Sequence, residues 1–155
     1  MPWTDLLVAD RIIVMVEPGA RDAVLDAAAR LLGDRLPDAT HAIASGLRAR
    51  ELIGSTGIGR GVAIPHVRGP MVRHPRGAFL RLAQAVDFGA PDGRPVDLVF
   101  AMCAPEDQPE RHLHHLAGIA ERFADTAFLD TLRNARDLPA LRHALLAQRA
   151  DPQAA

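Results

Sequence analysis

Gly54-Ser55-Thr56-Gly57-Ile58-Gly59-Arg60-Gly61-Val62-Ala63-Ile64-Pro65-His66 runs from a glycine-rich loop into a short apolar segment that ends on a histidine. The glycines at 54, 57, 59 and 61 permit tight or left-handed backbone and let N–H groups approach a ligand closely, while Ser55 and Thr56 add hydroxyl donors. The stretch therefore reads as an anion cradle beside a nucleophile. Pro65 fixes its own φ and drives Ile64 into the extended region, which predicts a strand over Val62 to Ile64 with His66 at its carboxyl end. Ligands of α/β sheets favour that end.

Two familiar glycine motifs fail here. A Walker loop requires Lys and then Ser or Thr after its last glycine, whereas Gly59 is followed by Arg60 and Gly61. A dinucleotide fingerprint starting at Gly59 would need a glycine at Ile64, and Pro65 blocks the helix that should open there. A plain surface loop leading into a core strand is the competing reading on spacing alone.

Upstream, a helix opening at Asp38 after Pro37 is predicted to carry Ile43, Leu47 and Ile53 inward and to deliver Arg50 beside the loop. Before it, Arg21 to Leu32 places Val24, Leu25, Ala28, Leu31 and Leu32 on one helical face, with Gly33 as the stop. Residues 11–17 form a β-branched run ahead of Pro18-Gly19, which predicts a strand buried on both faces.

Downstream, Val67 to Arg76 reads as a loop, Ala78 to Val86 as a strand returning in a hairpin, and Phe88 to Pro95 as a turn. Val96 to Cys103 is then a central buried strand. Pro109 opens a helix to Phe123, with Leu113, Leu116, Ala117, Ala120 and Phe123 recurring at helical spacing. Asp125 caps a helix through Leu132, and Asp137 a last one to Gln148, before a frayed tail over residues 149–155. The pattern is one domain over residues 1–148, a mixed sheet covered by helices on both sides, with no repeat or linker.

At 155 residues with 48% hydrophobic content, the chain can bury a core. A formal charge of −1 gives no general attraction to nucleic acid or anionic membrane. The longest apolar run, Leu98 to Ala104, is far too short for a membrane span, and the start lacks a basic region followed by an apolar core, so a cytoplasmic location is expected. Cys103 has no second cysteine to pair with and sits inside that run as a small hydrophobe.

A second polar cluster, His112, His114 and His115, lies on the helix after Pro109. His112 and His115 share a face at three-residue spacing while His114 points away, and spacing cannot choose between the first two. Two such histidines meet only part of what zinc requires, and no HExxH or paired-cysteine motif supplies the rest, so no metal is expected. Glu106, Asp107 and Glu110 cluster beside prolines as a solvated loop and helix start, not as an acid–base pair. His41, His74 and His143 read as surface residues.

The run from Gly54 to His66, preceded by Arg50-Glu51, resembles the active-site segment of the enzyme IIA proteins of the phosphoenolpyruvate-dependent phosphotransferase system, in the fructose/mannitol/nitrogen-regulatory class. The likeness continues through Pro95 to Ala101 and Pro109 to Leu116, spans residues 11–147, and is greatest for the nitrogen-regulatory IIA proteins. It implies a mannitol-specific IIA-like fold in which His66 carries phosphate taken from an HPr-like phosphocarrier. It also implies that His112, which begins the His-Leu-His segment, lies beside His66. Arg50, always charged and bidentate, would join His112 in stabilising the transferring group, with Ser55, Thr56, Gly57 and Gly59 binding phosphate. Neither nucleotide nor metal is implied. The downstream partner would be a regulatory target, as for nitrogen-regulatory members, or a IIB cysteine, as for fructose or hexitol uptake. A non-catalytic module that merely holds an anion is the third reading. One departure stands out: the residue after the reactive histidine is usually small in this family, and here it is the β-branched Val67.

Overall fold

The computed structural model describes residues 2–147; the expected helix end at Gln148 and the tail over 149–155 lie outside them. Their strands are β1 (Ile12–Met15), β2 (Gly57–Gly59), β3 (Val62–Ala63), β4 (His66–Gly69), β5 (Arg76–Val86) and β6 (Val96–Pro105). The helices are α1 (Arg21–Leu32), α2 (Pro37–Ile53), α3 (Pro109–Arg122), α4 (Thr126–Asn134) and α5 (Leu138–Leu146), with two short 3₁₀ turns before β1. Helix starts follow local chemistry. Pro37 and Pro109 occupy first-turn positions. The Asp125 carboxylate accepts from Ala127 and Phe128 N–H, and that of Asp137 from Ala140 N–H.

The sheet runs β1-β5-β6-β3-β2, with β4 also on β6. Pairing is mixed: β1 is parallel to β5, β5 antiparallel to β6, and both β3 and β4 parallel to β6. Side chains of β6 alternate between two cores, as the period of two demands. Val99, Ala101 and Cys103 face α1 and α2 together with Leu25, Ile43 and Leu47. Leu98, Phe100 and Met102 meet Ile119, Phe123, Leu129, Leu132 and Leu141 from α3, α4 and α5 on the other face. Burial on both faces explains the uninterrupted apolar run from Leu98 to Ala104 within β6.

Several local expectations are corrected. The run at 11–17 is an edge strand: Ile12 is buried, Ile13 to Met15 are half-buried and Val16 is 72% exposed. The expected hairpin between the strand at Val62 and that at Ala78 does not form, because β6 lies between β3 and β5. His66 opens a strand instead of closing one, and β4 occupies part of the expected loop after Val67. Both β3 and β4 pair β6 in one unbroken register, Ala63 with Val99 and His66 with Met102. Pro65 interrupts the strand without shifting it, and its carbonyl still accepts from Met102 N–H at 2.9 Å. On the helices, Ile53 is 83% exposed and Leu113 67% exposed, contrary to their expected inward placement. Their stripes run instead through Ile43, Leu47 and Glu51, and through His112, His115 and Ile119.

Candidate active site

A cleft of about 190 Å³ opens where the end of α2, the start of the glycine segment and α3 converge on His66. Arg50, Ser55, Thr56, Gly57, Ile58, Ile64, Leu116 and Ala120 also line it. Its volume is below the usual range for nucleotide- or drug-sized ligands and suits a small anion such as a phosphoryl group.

Helix α2 supplies both a cation and a buried brace. Arg50 Nη1 donates to the Gly54 carbonyl at 2.7 Å from a half-exposed side chain. Glu51 does not pair with it. The buried Glu51 carboxylate accepts from Thr56 N–H at 2.7 Å and from the Thr56 hydroxyl at 2.6 Å. Ser55 Oγ donates to the Phe88 carbonyl at 2.6 Å and accepts from Gly57 N–H at 3.0 Å. Both hydroxyl protons expected to face a ligand are thus engaged in holding the loop. Glu51 was missed from sequence, although the step of four from Ile43 through Leu47 pointed to it.

His66 is held in one tautomer. Its Nδ1 lies 2.8 Å from the Ile64 carbonyl, which can only accept, so Nδ1 carries the proton and Nε2 keeps its lone pair. Burial lowers the His66 pKa below the ordinary histidine value. The Ile64 bond opposes this, Arg50 adds to it and Glu51 opposes it. At neutral pH His66 is therefore a neutral imidazole with a free nitrogen.

His112 stands over it, the ring centroids 5.4 Å apart and the planes inclined at 52°. His112 is 6% exposed, and its Nδ1 has no hydrogen-bond partner among the described residues. Its pKa is lowered to about 4, first by burial and then by the charges of His66, Arg68 and His115. His115 is buried too, at 1% exposure, whereas His114 is exposed. Among the described residues no group of three or more His, Cys, Asp or Glu side chains is placed to hold a metal ion. No described helix is long and apolar enough to cross a membrane.

Gly59 is not among the cleft-lining residues. It enters a two-residue hairpin turn at Arg60-Gly61 that joins β2 to β3, and all three residues have positive φ, at 93°, 58° and 78°. Arg133 from α4 donates to the Asp97 carboxylate at 2.8–3.2 Å and also to the Arg60 carbonyl. Asp92 accepts from Arg60 N–H at 2.8 Å. The structure thus gathers Arg50, Ser55, Thr56, Gly57 and His66 in the cleft, sets the His112 ring against that of His66 without making it a cleft-lining residue, and puts Gly59 at the anchored tip of the hairpin.

Comparison with known proteins gives the geometry a context. The family described as phosphoenolpyruvate-dependent sugar phosphotransferase system, EIIA 2, matches residues 5–147. A nitrogen regulatory protein of Pseudomonas aeruginosa is 41% identical over 137 residues, covering 88% of this chain and 89% of that protein. A fructose-specific EIIABC component of Bacillus subtilis is 34% identical over 122 residues, covering 77% of this chain but 19% of that much longer protein. Among solved structures, nitrogen regulatory protein IIA-Ntr from Neisseria meningitidis superposes with a TM-score of 0.84 at 34% identity, covering 92% of this chain and 97% of that one. IIA mannitol from Escherichia coli superposes at 0.68 with 18% identity, covering 90% and 98%, which bears out the mannitol-specific IIA-like fold.

Proposed function

Because the chain belongs to the EIIA 2 family of the phosphoenolpyruvate-dependent sugar phosphotransferase system, we propose that it is a histidine phosphoryl carrier in which Nε2 of His66 is the atom phosphorylated. It is a phosphotransferase component, and its donor is an HPr-like phosphocarrier in the cytoplasm. The observation that carries this reading is the His66 Nδ1–H bond to Ile64, which leaves the other ring nitrogen free in a cleft of phosphoryl size.

In the transfer, the N–P bond of the donor phosphohistidine breaks as the bond from His66 Nε2 to phosphorus forms, and the donor imidazole takes back its electron pair. No proton need leave His66, because Nδ1–H stays on the Ile64 carbonyl throughout. Charge spreads over the equatorial phosphoryl oxygens, so positioned donors supply most of the catalysis. Arg50 turns from the Gly54 carbonyl to the phosphoryl oxygens, and His112 donates from beside the His66 ring. Ser55, Thr56 and Gly57 wall the phosphate, and Gly59 acts through the hairpin turn.

Downstream, the likeness to proteins named nitrogen regulatory supports a regulatory output, with phosphorylation state as the signal to nitrogen-related or ion-transport targets. Transfer to a IIB cysteine for fructose or hexitol uptake is the second reading, supported by the fructose-specific relative. The test is incubation with phosphoenolpyruvate, enzyme I and an HPr-type carrier, followed by intact mass. Wild type gains one acid-labile phosphate and His66→Ala gains none. An unmodified wild type would leave an anion-binding module in its place, while labelling of His66→Ala would move the site elsewhere.

A further inference from the structure

Strand β4 begins at His66, and its side chains alternate across the sheet. His66 meets His112 of α3, while Val67 packs into the core beneath α1 and α2. There it abuts Gly46 of α2. A methyl group on Gly46 would overlap Val67 Cγ2 and lie 3.3 Å from Val67 Cβ, and the branched side chain has little rotamer freedom with which to yield. Glycine inside a helix costs stability relative to alanine, so its place in the middle of α2 marks a close approach. The same helix presents Arg50 one turn later and then Glu51, which braces Thr56.

We propose that Val67 and Gly46 are a matched pair of bulk and gap that sets the height of α2 over β4, and so the placement of Arg50 and the Glu51–Thr56 brace relative to His66. Both are positioning residues, and the pair accommodates a β-branched residue directly after the reactive histidine. The inference rests on the reading of His66 as the phosphorylated residue.

The test uses four proteins: wild type, Gly46→Ala, Val67→Gly and the double variant. Three quantities are measured in each: the thermal midpoint, the imidazole ¹⁵N shifts of His66, and the phosphorylation rate at saturating phospho-carrier. In the wild-type background, Gly46→Ala lowers the midpoint, moves the His66 signals and slows the saturated rate about tenfold with little change in KM. In the Val67→Gly background the same substitution raises the midpoint and returns the His66 signals and rate toward wild type. That reversal of sign is the expected result. Equal effects in the two backgrounds overturn the pairing, and a lowered midpoint with unchanged His66 shifts overturns the positioning role. If wild type takes up no phosphate, the carrier reading fails, while the shifts and midpoints still decide the pairing.

Discussion

A proton on His112 would sit almost out of solvent, facing His66, with Arg68 and His115 also opposing it. Its pKa of about 4 in the folded protein lies below the ordinary 6.5 of the unfolded chain. Above pH 6.5 both states are neutral at this position and folding costs nothing there. As pH falls from 6.5 toward 4, the unfolded chain takes up a proton that the folded chain refuses, so stability declines, by on the order of 3 kcal/mol in all. His66, shifted in the same direction, adds to the decline. Urea midpoints measured between pH 4 and 7 should therefore drop on acidification, and His112→Gln should flatten the curve; an unchanged slope in that variant would assign the effect to other groups. Phosphorylation reverses the local field, because the dianion beside His112 favours its charged form. The His112 pKa should rise in the phosphorylated protein, read by NMR titration. Arg50→Lys should slow transfer by about 10²-fold, since an ammonium cannot offer the planar fork. At this scale the chain was partly legible. Glycine and proline chemistry pointed to His66, but His112 and His115 are both buried, and only the 5.4 Å approach to His66 separates them, a tertiary fact that helical spacing does not contain.

The hairpin of β2 and β3 enters the cleft wall at Gly57 and Ile58 and is anchored at its far tip. Gly61 has φ of 78°, and a methyl there would lie 2.6 Å from Arg133 Nη2 and 2.8 Å from Asp97 Oδ1. Gly61→Ala should thus lose about 2 kcal/mol of stability or more, through backbone strain and through displacement of the Arg133–Asp97 pair. That pair is only partly exposed, so a double-mutant cycle on Arg133→Ala and Asp97→Ala should give a coupling of about 1 kcal/mol, with additivity counting against the anchor. Local signals located the starts of α3, α4 and α5 and the end of α1, because caps, glycine stops and first-turn prolines act within a few residues. They misplaced the strands around Pro65. Proline reads locally as a strand end, but β6 continues alongside and holds β3 and β4 in one register, so the partner determines what happens after the proline. Ile53 and Leu113 face outward for a related reason: each is apolar but lies off the buried stripe, two residues past Glu51 and one past His112, and those stripes are completed by polar side chains.

Across the whole molecule, β6 is the strand on which everything else is assembled. It pairs β5 on one side and both β3 and β4 on the other, and its two faces feed the two cores. The sequence announced its burial as an unbroken apolar run but carried no sign of its neighbours, because a central strand looks the same whichever strands flank it. This arrangement makes a prediction about how the protein opens. Amides of Leu98 to Cys103 are enclosed by strands and by helices on both faces, so their hydrogen exchange should require global unfolding, whereas β1 and the β2–β3 hairpin at the sheet edges should exchange through smaller openings. Because His66 pairs with Met102 of β6, the histidine proposed to carry phosphate is fixed to that buried strand, while Arg50 approaches from a helix end whose last residues, Leu52 and Ile53, are exposed. Phosphorylation should then change protection at the end of α2 and in the loop before β2, leaving β6 as it was. Exchange of β6 amides at the rate of β1, or a phosphorylation response spread through β6, would mean that the strand is not the rigid support on which the site is built.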